Sequence, residues 1–176
     1  MAVTILLGGA RSGKSSLAVE IGRRHDGDVT FIATAEPFDD DMRERIDAHR
    51  ADRPEWSTVE APLDLGPAIR AAPDASLVIV DCVTVWMGNL FAHDLGPAQR
   101  KAACIDLMTS LVPREGPTVV VTNEVGLGLH PETALGREYR DELGRLNQGL
   151  VDIADHALLL VAGRAIPLSD PWEHLS

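Results

Sequence analysis

Gly8-Gly9-Ala10-Arg11-Ser12-Gly13-Lys14-Ser15 has the G-x-x-x-x-G-K-[ST] spacing of a phosphate cradle. Glycines at these places let the backbone curl until successive N–H groups point at one anion. A helix that follows adds its N-terminal dipole and its unpaired amides. Lys14 can reach the outer phosphates of a nucleoside triphosphate, and the Ser15 hydroxyl can ligate Mg²⁺.

The partner acid of such a cradle stands at the end of another apolar strand. Asp81 closes the run Ser-Leu-Val-Ile-Val-Asp-Cys at 76–82, which suits a magnesium carboxylate acting directly or through water. The competing reading makes Asp81 a cap of the next helix. A second group lies in Asp-Ala-His-Arg-Ala-Asp-Arg-Pro at 47–54, where His49 has Arg45, Arg50 and Arg53 within one or two helical turns. Arginines disfavour the imidazolium and leave a neutral ring able to attack phosphorus. They can also hold the phosphates being displaced. On residue types alone, a solvated surface histidine is the competing reading. Asn123 and Glu124 follow a fourth apolar run; they suit either a site loop or simple loop hydrogen bonding. His130 sits in the same loop, His156 opens a strand, and His25, His93 and His174 fall in polar, solvated stretches.

These groups need a frame that gathers them. Short, continuously apolar runs at 3–7, 28–34, 76–82, 117–123 and 156–162 are the pattern of a parallel sheet covered on both faces, with a weaker strand at 56–60. Between them lie amphipathic stretches. Leu135, Tyr139, Leu143, Leu146, Leu150 and Ile153 make one stripe that predicts a helix over 133–154. Further helices are expected from the acids at 39–41 to the break at Arg53–Pro54, and over 97–112. Alternation of strand and helix predicts a layered α/β domain with right-handed crossovers. Ligands of such sheets gather at the carboxyl ends of the strands, where every group above is placed.

The 176 residues fit one domain. With 16 Lys and Arg against 27 Asp and Glu, the net charge is −11, which argues against nonspecific nucleic-acid binding. Cys82 and Cys104 lack metal-ligand spacing and read as reduced, buried thiols. The sequence starts directly into a strand pattern and has no apolar run of membrane-spanning length. A cytoplasmic protein with no membrane span is expected.

A phosphate cradle alone does not name a reaction. The guanine-reading N-K-x-D stretch of a switch GTPase is missing from the sequence, which leaves a small-molecule kinase or a nucleotide-binding module open. Taken together and in order, "GGARSGKS", "FIATA", "RIDAHRADRP" followed by "WSTVE", and "VTNEVGLGLHPET" with "GRLNQ" resemble the bifunctional adenosylcobinamide kinase/adenosylcobinamide-phosphate guanylyltransferases of cobalamin biosynthesis. The resemblance runs from residue 3 to about residue 164.

It implies a RecA-like P-loop fold of three layers, with a mostly parallel sheet between helices, over 1–176, and a tail from about 164. It implies phosphorylation of adenosylcobinamide with ATP or GTP. Transfer of GMP from GTP through a guanylylated histidine would then give adenosylcobinamide-GDP and pyrophosphate. That histidine matches His49. Further nucleotide contacts match Ala33, Thr34, Ala35, Arg50, Ala51, Asp52, Arg53, Glu60 and Asp81, with Mg²⁺ at Ser15 and Asp81 and a homotrimer as the assembly. At position 81 the family often carries Glu, so the shorter Asp81 marks a departure. A P-loop small-molecule kinase without guanylyl transfer is the alternative.

Overall fold

The computed structural model describes residues 2–37 and 54–175. In chain order its strands are β1 (Val3–Gly8), β2 (Val29–Ala33), β3 (Ser57–Glu60), β4 (Leu77–Asp81), β5 (Thr118–Val121), β6 (His156–Val161) and β7 (Arg164–Pro167). Its helices are α1 (Lys14–Arg23), α2 (Leu65–Ala71), α3 (Val83–Ala92), α4 (Pro97–Leu111) and α5 (Ala134–Asp152), followed by a 3₁₀ turn at Pro171–His174.

The strands form one sheet in the order β3-β2-β4-β5-β1-β6-β7. All neighbours are parallel except β6 and β7. Each expected strand is present. Both faces are apolar because side chains alternate along each strand. Val3, Ile5 and Leu7 of β1 join one buried cluster with Leu65, Trp86, Leu107, Leu143 and Leu146, from α2 through α5. Leu6 of the same strand joins the other, with Phe31, Ile79 and Ala18 of α1. This is a three-layer α/β fold of the expected kind.

The helices expected over 133–154 and 97–112 appear as α5 and α4. The one expected from residue 39 to the Arg53–Pro54 break falls on 38–53, outside the described residues. Two helices escape periodicity. In α3, Val83, Thr84, Trp86, Met87, Asn89 and Leu90 are all buried, and a helix buried all round shows no stripe. Helix α2 spans only Leu65–Ala71, too short to display one.

The segment from 164 is more than a tail. Ala162 and Gly163 both have positive φ (51° and 73°), as a two-residue type I′ hairpin requires, and the turn folds β7 back on β6. Against the sheet, Arg100 of α4 is buried and donates to Glu142 of α5 through Nε and Nη2, at 2.8 Å each. It also pairs with Glu138 and lies 3.9 Å over the Phe91 ring. One guanidinium thus locks α3, α4 and α5 together, and α5 carries one wall of the site. No described helix is long and apolar enough to cross a membrane.

Candidate active site

The strand registers bring the expected groups to one edge. Ala33 pairs with Glu60 on one side and with Asp81 on the other. Asp81 pairs with Val121, two residues before Asn123; Leu6 of β1 pairs with Val121 on its other side, and Gly8 ends β1 two residues further on. The loop 8–13 turns there into α1. Its curl uses positive φ at Gly8 (150°), Arg11 (56°) and Gly13 (102°). A Cβ on Gly8 would run into the Leu160 carbonyl and stand 2.8 Å from Ser12 Oγ, so only glycine fits. Gly13 caps α1 without a side-chain hydrogen bond, which leaves the first-turn amides of the helix free for an anion.

Lys14 is buried. Its ammonium donates to the carbonyls of Gly8 (3.0 Å) and Gly9 (2.7 Å) and to Ser12 Oγ (3.3 Å). Burial lowers its pKa, while Cys82 and the Asp81 carboxylate hold it up. Asp81 is therefore electrostatically in the Lys14 site. The cap of the next helix, α3, is Cys82 and not Asp81: the Cys82 Sγ accepts from the Val85 amide (3.5 Å). Burial and the Asp81 charge push the Cys82 thiol up to about 11. Both cysteines are unbridged and half-buried.

The Ser15 hydroxyl is half-buried and makes no hydrogen bond among the described residues. With the Asp81 carboxylate it offers hard oxygen donors. No group of three or more His, Cys, Asp or Glu suited to a metal occurs among the described residues. A pair of protein oxygens suits Mg²⁺, which keeps water and substrate phosphates as its remaining ligands; the residues present fit that ion.

Behind the site, Thr34 is fully buried and hydrogen bonds both backbone groups of Cys82, whose peptide bond to Asp81 is cis. Asn89 Nδ2 donates to the Thr34 carbonyl (2.7 Å) and to that of Pro62 (3.0 Å). A second network fixes the loop after β5. Thr122 Oγ1 donates to Asn147 Oδ1 (2.7 Å), and Asn147 Nδ2 donates to the Asn123 carbonyl (3.0 Å). The Asn123 amide donates to Thr84 Oγ1 (2.6 Å). The Glu124 amide donates to the Gly8 carbonyl (3.1 Å), which joins this loop to the cradle, and its carboxylate accepts from the Gly126 amide. Asn123 and Glu124 thus make loop hydrogen bonds and also stand beside the cradle. On the other side, the Gly163 amide donates to the Ser12 carbonyl (2.9 Å).

Thr84, Asn89, Thr122, Asn147 and Gly163 were not singled out from sequence. For Gly163 a signal existed, the Ala-Gly pair that ends the apolar run at 156–162; Thr84, Asn89 and Thr122 are polar residues in apolar stretches, and Asn147 is one polar residue among several on α5. Gly9, Ala10 and Arg11 are exposed in the loop, Ala35 is half-buried and Glu60 is exposed at its strand end. His49, Arg50, Ala51, Asp52 and Arg53, with Arg45, lie outside the described residues. Of the histidines expected in solvent, His93 pairs with Glu36 (2.9 Å) and His174 with Ser169 (2.6 Å). His25 Nε2 is buried without a hydrogen bond among the described residues. His130 Nδ1 lies 2.8 Å from the Arg140 guanidinium.

Comparison with known proteins agrees with this arrangement. The fold resembles a prototypical ATPase from the type III secretion system of pathogenic bacteria (TM-score 0.56, 12% identity, 91% of this chain and 51% of that chain). It also resembles the RadB recombinase (TM-score 0.52, 16% identity, 90% and 73%). These likenesses show a P-loop α/β fold. In sequence the chain is 39% identical over 166 residues to the bifunctional adenosylcobalamin biosynthesis protein CobP of Pseudomonas aeruginosa, covering 93% of this chain and 95% of that protein. It is 36% identical over 178 residues to the CobU protein of Escherichia coli K12, covering 93% and 98%. Residues 4–168 match the family described as cobinamide kinase / cobinamide phosphate guanyltransferase, and the chain belongs to that family of enzymes.

Proposed function

We propose that the chain carries out both reactions named by its family, on adenosylcobinamide and then on adenosylcobinamide phosphate. The observation that carries this reading is the buried Lys14 ammonium, enclosed by the 8–13 loop at the start of α1 with Asp81 beside it. The family match over 4–168 supplies the acceptor.

In the first reaction the phosphates of ATP or GTP lie in the 8–15 cradle. The alcohol oxygen of the acceptor bonds to the γ-phosphorus as the bridging P–O bond to the β-phosphate breaks, and the hydroxyl proton leaves to the Asp81 carboxylate. Lys14 and the α1 amides hold the charge that gathers on the bridging oxygen. Mg²⁺ held by Ser15 and Asp81 would neutralise the phosphates. In the second reaction a neutral His49 nitrogen bonds to the α-phosphorus of GTP, and the α–β bridging P–O bond breaks to release pyrophosphate. Arg50 and Arg53 contact the nucleotide with Ala33, Thr34, Ala35, Ala51, Asp52 and Glu60. A phosphate oxygen of the acceptor then displaces His49, giving adenosylcobinamide-GDP. The same reading makes the protein a homotrimer of the cytoplasm.

The experiment is labelling with α-³²P GTP and Mg²⁺. An acid-labile, base-stable protein–GMP adduct is expected, absent from His49→Ala. A wild-type protein that turns over as a kinase and never labels leaves the simple small-molecule kinase as the function.

A further inference from the structure

A hollow of about 590 Å³ opens beside the cradle, between the loop after β5 and one face of α5. Its floor is apolar, from Leu7 and Val151, and its walls carry Glu124, Arg145, Gln148 and Asp152. Leu7 precedes Gly8 of the cradle, and the Glu124 amide donates to the Gly8 carbonyl, so whatever fills the hollow lies next to the phosphate cradle. Arg145 and Gln148 are exposed and make no hydrogen bond among the described residues. The loop that walls the hollow also carries Leu127 and Leu129, exposed by 84% and 97%.

We propose that this hollow is the acceptor subsite, holding the carboxamide-bearing rim of the cobinamide macrocycle beside the phosphate cradle. The inference rests on the functional reading above and adds to it where the acceptor sits. Three carboxylates, Glu124, Asp141 and Asp152, stand around it with two guanidinium groups, Arg140 and Arg145, and the Gln148 amide. That suits neutral carboxamides, each of which offers N–H donors and a carbonyl acceptor. A purely anionic ligand would need an excess of cations, and the carboxylates offset them here. The apolar floor and the two exposed leucines suit the hydrocarbon periphery of the macrocycle that carries the amides.

Gly144 lines the hollow at mid-helix, and a Cβ there would meet nothing within 4 Å. Gly144→Trp therefore starts from an open Cβ position and carries an indole into the hollow, and Gly144→Ala adds helix propensity and leaves the hollow open. The test is equilibrium dialysis of adenosylcobinamide, whose colour reports binding, beside GTP binding to the same full-length proteins. Wild type and Gly144→Ala are expected to bind the corrinoid alike. Gly144→Trp should weaken it at least tenfold, with GTP affinity within twofold. Arg145→Ala and Gln148→Ala, both on the exposed wall, should each weaken it severalfold, and they serve if the tryptophan variant fails to fold. Undiminished corrinoid binding in these variants overturns the subsite and leaves the function intact. Parallel loss of GTP binding overturns it too, by making the hollow part of the nucleotide site. A changed oligomeric state with corrinoid affinity unaltered makes it an interface between copies instead. A wild-type protein that binds no cobinamide removes the functional reading and the subsite together.

Discussion

The hydroxyl of Thr34 exchanges two hydrogen bonds with the backbone of Cys82, donating to its carbonyl at 2.8 Å and accepting from its amide at 2.9 Å. A hydroxyl has one proton and two lone pairs, so it can satisfy both groups of a residue on the neighbouring strand end. Because Cys82 follows Asp81, this clamp sets where the Asp81 carboxylate stands relative to Lys14. Thr34→Val keeps the shape, removes both bonds and strands buried polar backbone, at a cost of about 2 kcal/mol. Urea denaturation should show that loss, and Mg²⁺-dependent GTP turnover should fall more than GTP binding. Thr34→Ser retains the hydroxyl and should recover most of both.

The hairpin turn bears on the cradle through a single backbone bond, Gly163 N–H to the Ser12 carbonyl at 2.9 Å. It needs an N–H at 163 and a positive φ of 73°. Gly163→Pro removes both, while Gly163→Asn keeps the N–H and tolerates the left-handed conformation. Proline should weaken GTP binding about tenfold, the equivalent of one net hydrogen bond of about 1.4 kcal/mol. Asparagine should stay close to wild type. Isothermal titration with GTP distinguishes the two, and equal affinities would mean the hairpin does not shape the cradle.

That bond also shows where sequence reasoning stops. The cradle was legible because its chemistry is compressed into residues 8–15, and Asp81 because an acid ends a continuously apolar run. The strand ends that gather them followed from the same runs. Gly163 touching Ser12 joins residues far apart in the chain, and nothing local to either announces the partner. The Thr84–Thr122–Asn147 network is hidden for the same reason: Thr84 and Thr122 stand in apolar stretches and Asn147 among the polar residues of α5, and nothing local to any of them names its partners. Helix α3 was hidden by its own burial, which erases the stripe that revealed α5. The segment from residue 164 read only as a tail because β7 is a four-residue edge strand, exposed throughout, with no apolar run to mark it.

Two thiols give the fold an alkaline weakness. Burial pushes both Cys82 and Cys104 from 9.0 up to about 11, helped by the Asp81 charge at the first and by Glu142 at the second. The folded state therefore keeps these protons over a range in which the unfolded chain gives them up. With more protons bound when folded, stability falls as pH rises. The thiols' contribution is fully present below about pH 9 and is lost as pH climbs through 11. Burial of Lys14 acts in the opposite direction, because a lowered lysine pKa favours the folded state as pH rises. The comparison is therefore between wild type and Cys82→Ser/Cys104→Ala, which shares Lys14. Chemical denaturation at intervals from pH 7 to 11 should show wild type losing stability more steeply than the variant above pH 9, with matching slopes below it. Parallel curves throughout would mean that the thiols ionise in the fold as freely as in the open chain.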